Sequence, residues 1–221
     1  MKAFVAGATG ETGRRIVQQL VAANIEVKAL VRDRQAAAQI LPASVELVEG
    51  SLKSVPELTS AMTGCDVILS ATGARPSLDI TGPFQVDYVG TKNLVDASLA
   101  AGLQQFIMVS SLCVSKLFHP LNLFWLILLW KKQAETYLQN SDIAYTIVRP
   151  GGLKSEDADT PIVMKGHDQL FEGSIPRSQV AAVCVTAINH PQAQNKIVEI
   201  VANDQISNQP ISELFAQVAA E

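Results

Sequence analysis

Short β-branched runs alternate along this chain with stretches in which apolar residues return every three or four positions. The first kind reads as buried strand and the second as amphipathic helix. On that basis Lys2–Ala6, Glu26–Val31, Val45–Val48, Val67–Ser70, Phe106–Val109, Tyr145–Val148 and Ile197–Val201 are expected to be strands. The expected helices are Thr12–Ala23, Arg34–Leu41, Val55–Met62, Phe84–Ala101, Leu123–Asn140, Ser178–Asn189 and Ile211–Ala220. Strand–helix alternation of this kind predicts βαβ units, hence an α/β fold with a doubly wound parallel sheet. No linker, internal repeat or low-complexity run interrupts it, so residues 1–221 are expected to form a single domain. Gly152–Glu172 has the weakest periodicity and is expected to be a small C-terminal substrate-loop region.

One punctuation mark turns this pattern into a chemical expectation. Gly7-Ala-Thr-Gly-Glu-Thr-Gly13 stands between the first strand and the first helix. There a first glycine permits the tight turn, a second lets backbone approach a pyrophosphate, and a third lets helix and strand pack closely. The helix N-terminus then offers free N–H groups and a favourable dipole to the anion. The expected fold is therefore Rossmann-type and the expected ligand a dinucleotide. About twenty residues beyond the glycines, where an acidic residue accepts from the ribose 2′-OH of NAD, the second strand ends in Arg32. An arginine there suits a 2′-phosphate by charge-assisted bonds, which points to NADP, with NADPH preferred over NADH. Arg34 and the Thr12 hydroxyl are candidate helpers, and the adjacent Asp33 works against the charge argument.

Composition narrows the alternatives. Apolar residues make up 48% and charged residues 17% of the 221, enough for one well-filled core. A net charge of −4 lacks the basic footprint of a nucleic-acid binder, so no nucleic-acid partner is expected. Cys65, Cys113 and Cys184 are odd in number and sit in apolar runs. They are expected to be buried thiols in a cytoplasmic compartment, with no metal site. The start of the chain leaves no room for a signal peptide before the first strand. The oiliest stretch, Leu121–Trp130, is shorter than the roughly 20 residues that span a bilayer. It remains open as core, as acceptor lid, or as a peripheral membrane or protein contact.

Gly7–Gly13, Leu30-Val-Arg-Asp33, Val109-Ser-Ser111 and Tyr145-Thr-Ile-Val-Arg-Pro-Gly-Gly152 together resemble the NmrA-like, atypical short-chain dehydrogenase/reductase family over nearly the whole chain. Within that family the first half is similar to the biliverdin IXβ reductase (flavin reductase) group. Leu121–Trp125, Trp130–Glu135 and Arg149–Leu153 resemble the NADP-binding dehydrogenases associated with the chloroplast translocon and their plant and cyanobacterial relatives. The proline-rich tail of that translocon subunit is missing here, so nothing that depends on it is carried over. The resemblance implies that Gly7, Thr9, Gly10, Thr12 and Gly13 hold the pyrophosphate and Arg32 the 2′-phosphate. It implies Ser51 and Leu52 near the adenine, although the family usually has aspartate where Ser51 stands. Ala71, Thr72 and Gly73 would line the ribose, Ser110 and Ser111 would flank the nicotinamide, and Pro150 and Gly151 would close over it. Ser111 is the candidate catalytic residue.

Typical short-chain dehydrogenases place a tyrosine four residues before a lysine, which lowers the tyrosine pKa for acid–base work. Here the residues four before Lys131 and Lys132 are Ile127 and Leu128, and Tyr137 follows the lysines. Alcohol-dehydrogenase or epimerase chemistry is therefore not expected. Hydride transfer to a conjugated acceptor (a flavin, a biliverdin-type tetrapyrrole or a quinone-like ring) needs stacking more than a dedicated acid, because solvent supplies the proton. Small residues and an apolar lid over Leu112–Trp125 suit that task, with His119 and His167 as the remaining candidate acids. The competing expectation is a binding module whose NADP(H) occupancy controls association with a partner.

Overall fold

The computed structural model describes residues 1–74, 79–116, 118, 120–123 and 125–219. Ten strands and seven α-helices are formed among them. The strands are β1 Lys2–Ala6, β2 Glu26–Val31, β3 Glu46–Glu49, β4 Val67–Ser70, β5 Gln105–Val109, β6 Ala144–Pro150, β7 Gly152–Lys154, β8 Ile162–Lys165, β9 Ser174–Pro176 and β10 Lys196–Ala202. The helices are α1 Glu11–Ala22, α2 Arg34–Ala38, α3 Val55–Met62, α4 Thr91–Ala100, α5 Ile127–Gln139, α6 Arg177–Thr186 and α7 Ile211–Gln217.

The main sheet has the order β3-β2-β1-β4-β5-β6-β10-β8. Every pairing in it is parallel except β10 with β8, so the expected doubly wound sheet carries one antiparallel edge strand. Strand order reverses between β1 and β4, and such switch points open a crevice at the carboxyl ends of the strands.

Side chains of β1 alternate between the two faces, as the period of a strand requires. Ala3 and Val5 join a core with Ile16, Val17 and Leu20 of α1, Val180 and Val183 of α6 and Phe215 of α7. Phe4 and Ala6 join the opposite core with Leu58 of α3, Leu94 of α4 and Leu138 of α5. The sheet is buried on both sides, which is why its strands read as continuous apolar runs.

Three expectations from the sequence need correction. The long helix from Phe84 opens with a π-helical stretch, Phe84–Gly90, before α4 begins. The helix expected from Leu123 starts at Ile127, because Trp125 and Leu126 take left-handed backbone angles (φ 56° and 59°) that break the turn. The region after β6 is more regular than its periodicity suggests. It holds β7 paired with β9, and β8 paired with β10. Ala220, the expected end of the last helix, lies outside the described residues.

Candidate functional site

The glycine loop lies at the switch point, between the end of β1 and the start of α1. Gly7 has φ +79°, a conformation that side chains disfavour, and a Cβ there would lie 2.6 Å from the Ala71 carbonyl oxygen. The loop is thereby pressed against the segment that follows β4. A Cβ on Gly13 would overlap the Gly7 carbonyl oxygen, so the third glycine is what lets α1 close on the loop. Gly10 N donates to Gly7 O at 3.0 Å. Gly10 caps α1 without a side-chain hydrogen bond, leaving first-turn N–H groups for an external anion. Thr12 is buried and Thr9 half-buried beside it.

At the end of β2, Arg32 is exposed, and among the described residues no group pairs with its guanidinium. Asp33, which worked against the charge argument, is committed elsewhere: its Oδ1 accepts from Ala36 N at 2.9 Å and caps α2. After β3, Ser51 is exposed and its Oγ accepts from Lys53 N at 3.4 Å. Leu52 leans on Gly90, and its carbonyl accepts from Asn93 Nδ2 at 2.8 Å. An open groove between β3 and α3, lined by Leu30, Val48, Gly50, Ser51 and Leu58, runs beside them.

The segment after β4 meets two groups that pattern reading did not assign. Ser70 Oγ and Thr72 Oγ1 share a hydrogen bond of 3.0 Å. Ala74 N donates to Asp87 Oδ2 at 3.2 Å, and Lys131 Nζ lies 2.8 Å from Asp87 Oδ1. A Cβ on Gly73 would lie 3.8 Å from that same ammonium. Of the two candidate lysines, Lys131 is thus the one at the crevice, whereas Lys132 approaches Glu135 at 3.8 Å. Asp87 reaches it from the π-helical stretch, a distortion often found at functional sites. Four residues before Lys131, Ile127 packs with Leu112, Cys113, Val114 and Leu128, so apolar surface stands where a tyrosine would otherwise be sought.

After β5 the two serines part company. Ser110 Oγ donates to Glu135 Oε1 at 2.6 Å and is buried. Ser111 is half-buried, and its hydroxyl has no partner among the described residues. Leu112 N donates to Pro150 O, which joins this segment to the end of β6. A Cβ on Gly151 would lie 2.7 Å from Gly173 O, so Pro150 and Gly151 run close beneath the segment that leads into β9.

Glu135 also belongs to a buried ion cluster centred on Arg149, which has no exposed surface. Arg149 Nε and Nη2 donate to Glu135 at 3.0 and 2.7 Å, and Nη1 donates to Glu199 at 3.1 Å and to Asp168 at 3.0 Å. Glu199 accepts as well from the backbone N–H groups of Asp168, Gln169 and Leu170. Burial works against the Arg149 charge, but the hydrogen bonds and charge of Glu135, the hydrogen bond of Glu199 and the charge of Asp168 outweigh it and hold its pKa above the usual guanidinium range. Sequence reasoning passed over these acids, yet the signal was there: Glu199 interrupts an apolar strand, and Arg149 follows Tyr145–Val148 directly.

Other candidates lie off the crevice. Tyr137 OH donates to Asp96, which also pairs with Lys92, on the outer side of α4 and α5. His167 is exposed beside Asp168, and His119 lies outside the described residues. The three cysteines are buried thiols. Burial raises the pKa of Cys113 and pushes that of Cys184 up to about 12, so neither is poised as a nucleophile. Leu121–Trp130 divides in two. Trp130 packs edge-on to Phe84 (4.9 Å between ring centroids), whereas Leu123, Trp125 and Leu126 are exposed. Among the described residues no helix is long and apolar enough to cross a membrane.

Residues 7–191 match the model of a family described as NAD(P)H-binding. The chain belongs to that NAD(P)H-binding family. It is of the NmrA-like, atypical short-chain dehydrogenase/reductase type. It is 42% identical to the chloroplast protein At2g34460 of Arabidopsis thaliana, over all of this chain and 83% of the other. Its identity to the chloroplast protein TIC 62 of Pisum sativum is 35%, over 99% of this chain but only 46% of that longer protein. Sanguinarine reductase of Eschscholzia californica is 27% identical over 97% of this chain and 95% of its own length. Among solved structures, an epimerase/dehydratase-like protein from Bacillus halodurans superimposes with a TM-score of 0.87, at 25% identity over 98% and 99% of the two chains.

These relatives overturn one expectation. At2g34460 and TIC 62 are chloroplast proteins, so the comparisons point to the chloroplast and not to the cytoplasm. Buried thiols and a mildly acidic composition do not tell one reducing compartment from another.

Two outcomes follow for this family member. Gly13→Ala forces α1 off the loop and should destabilise the fold by roughly 1–3 kcal/mol, the range for overpacking. Chemical unfolding reads it, and an unchanged midpoint would mean that the contact is not tight. Arg149→Ala strands two fully buried carboxylates and should cost about 3–5 kcal/mol. A loss below about 1 kcal/mol in the same assay would show that the cluster is hydrated rather than dry.

Proposed function

We propose that the chain is a single-domain, NADPH-dependent reductase that passes hydride to a conjugated acceptor such as a flavin, a biliverdin-type tetrapyrrole or a quinone-like ring. The observation that carries the cofactor half is Arg32, a cation just past β2 with no partner among the described residues, whose acidic neighbour is turned away into a helix cap. The glycine loop fits a pyrophosphate, because α1 lacks a side-chain cap and a Cβ on Gly10 would project into the cradle with only Gly7 O, 3.3 Å away, as neighbour. Bound NADPH would supply the hydride.

The chain's own residues do the rest. Gly7, Thr9, Gly10, Thr12 and Gly13 hold the pyrophosphate, and Arg32 reads the 2′-phosphate. Ser51 and Leu52 border the adenine, and Ala71, Thr72 and Gly73 line the ribose. Lys131, fixed by Asp87 against Gly73, offers N–H donors to ribose hydroxyls. Ser110 has committed its proton to Glu135 and so faces the nicotinamide side as an acceptor only. Ser111, with Pro150 and Gly151, borders the acceptor. Its hydroxyl is available to donate, but a lone serine is too weak an acid to drive a reduction that stacking and solvent already permit. Sanguinarine reductase, aligned over nearly its full length, supports a reductase reading.

The second reading is a redox-responsive binding module with little turnover. The exposed Leu123, Trp125 and Leu126 favour it, since side chains of that kind usually meet a partner or a membrane surface.

Arg32→Ala should weaken NADPH binding by roughly 1.5–3 kcal/mol, the range for a charge-assisted bond, and leave NADH nearly unchanged. Titration calorimetry with both nucleotides tests this, and equal losses would take the 2′-phosphate away from Arg32. Turnover is tested by mixing protein with NADPH and a panel of flavins, biliverdins and quinones and following loss of NADPH absorbance. Ser111→Ala and Lys131→Met should each retain kcat within about tenfold, or 1.4 kcal/mol of barrier, with the lysine change appearing in the KM for NADPH. A thousandfold fall in kcat at either position, with cofactor still bound, would reveal a dedicated acid. Absence of turnover with every acceptor would favour the binding module.

A further inference from the structure

The segment that leads into β9 is held at several points. Glu199 accepts from the backbone N–H groups of Asp168, Gln169 and Leu170. The Cys113 thiol donates to Phe171 O at 3.2 Å, and Leu170 packs against the cluster that contains Leu112 and Cys113. Gly173 O accepts from Gly152 N at 2.9 Å. The backbone of Phe171 is therefore fixed between the two segments proposed to border the acceptor, one after β5 and the other after β6.

The side chain of Phe171 does not follow its neighbours into the core. The residue is 44% exposed, and apolar surface left in water contributes nothing to the stability of the fold. What the ring does meet is a cation: Lys116 Nζ stands 3.6 Å from its centroid. Lys116 is itself exposed, and no carboxylate among the described residues pairs with it. Asp168 is taken by Arg149, and the exposed Glu172 forms no ion pair with the ammonium. An aromatic face satisfies only part of an ammonium, which has three N–H donors; the donors turned away from the ring remain in water. An exposed aromatic ring beside a cation that lacks an anion suits one kind of small molecule. Its conjugated ring stacks on the aromatic, and its carboxylate or phosphate takes the remaining donors.

We infer that Phe171 and Lys116 decide which acceptors the chain takes: Phe171 stacks on the conjugated ring, and Lys116 binds an acid group that the ring carries. The acceptor is then an anionic ring compound, such as a flavin with its phosphate or a tetrapyrrole with its propionates, and not a neutral quinone. For the place of the acceptor the inference rests on the reductase reading above. It adds the charge of the acceptor and two residues that read it.

The test is a fluorescence titration of FMN and of riboflavin onto the full chain, with NADP+ at saturation so that neither flavin enters the nucleotide cradle. The two flavins share one ring system and differ by a phosphate. Biliverdin and its dimethyl ester, followed by absorbance, make the same comparison for carboxylates. The wild type should bind the acid-bearing member of at least one pair about tenfold more tightly, as for one charge-assisted bond, and salt should narrow that ratio. Discrimination in the flavin pair alone makes the acid group a phosphate, and in the tetrapyrrole pair alone a carboxylate. Lys116→Met should bring the ratio close to one, and Lys116→Arg should keep it. Phe171→Leu should weaken both members of the pair about fivefold, as for loss of an aromatic face, and Phe171→Tyr should restore them. Thermal unfolding checks that each variant is folded. Equal affinities within both pairs, a ratio that survives Lys116→Met, full affinity in Phe171→Leu, or a wild type that binds none of the four compounds would overturn the inference. Binding with the expected ratios but no loss of NADPH absorbance would instead sink the reductase reading and leave the ring-and-acid site standing.

Discussion

A guanidinium with no exposed surface, held among three carboxylates, fixes the half of this molecule that the glycine loop does not. Removing Arg149, Glu135 and Glu199 from water carries a desolvation penalty that no single pair would offset. The cluster offsets it by number and geometry. Arg149 uses Nε, Nη1 and Nη2, and Glu199 spends its remaining capacity on three successive backbone N–H groups. The donors and acceptors come from α5, the end of β6, β10 and the loop at 168–170. Four elements distant in sequence are thereby held in one arrangement, more strictly than apolar contact alone would hold them.

The consequences reach the crevice through α5. Glu135 and Lys131 are one helical turn apart and lie on the same face. Fixing Glu135 on Arg149 therefore sets where Lys131 stands, and Lys131 meets Asp87. Asp87 arrives on a π-helical stretch, in which the wider turn shifts the following residues around the axis. Glu135 also accepts the hydrogen bond that Ser110 Oγ–H donates, which leaves that hydroxyl only lone pairs to offer a ligand in the crevice. One buried ion cluster thus sets the position of a cation and the direction of a hydroxyl on the two sides of the nicotinamide end proposed for the crevice.

The two halves of the site differed in how much of them the sequence made legible, and for a physical reason. The glycine loop is made of backbone, and backbone that must adopt positive φ or accept close approach demands glycine at Gly7 and Gly13. Such demands are local, so they can be read directly, and so could the strands and most helices around them. The side proposed for the acceptor is made of side chains that meet across long sequence separations. Asp87 with Lys131 and Arg149 with Glu199 are invisible to any periodic pattern. What pattern reading does offer is an anomaly: a glutamate inside an apolar central strand, which must find a cation or not be buried. The late start of α5 was missed for a related reason. Leu121–Trp130 is apolar except for Asn122, and periodicity cannot show that two of its residues turn left-handed.

This division bears on what the fold can change and what it cannot. A cradle of backbone N–H groups tolerates almost any side chain that points outward, so nucleotide choice falls to a few charged residues at its rim. Arg32, with Asp33 withdrawn into a cap, is proposed as one such device. The side proposed for the acceptor has the opposite character. Ser110, Glu135 and Arg149 are bound to one another there, and Leu112, Val114 and Ile127 pack in an apolar cluster that follows β5. Such a surface distinguishes acceptors by shape and stacking, because it has few free hydrogen-bonding groups with which to read them. The planar conjugated ring proposed as acceptor suits such a surface, since it gains from contact over its whole face and asks little of the groups around it.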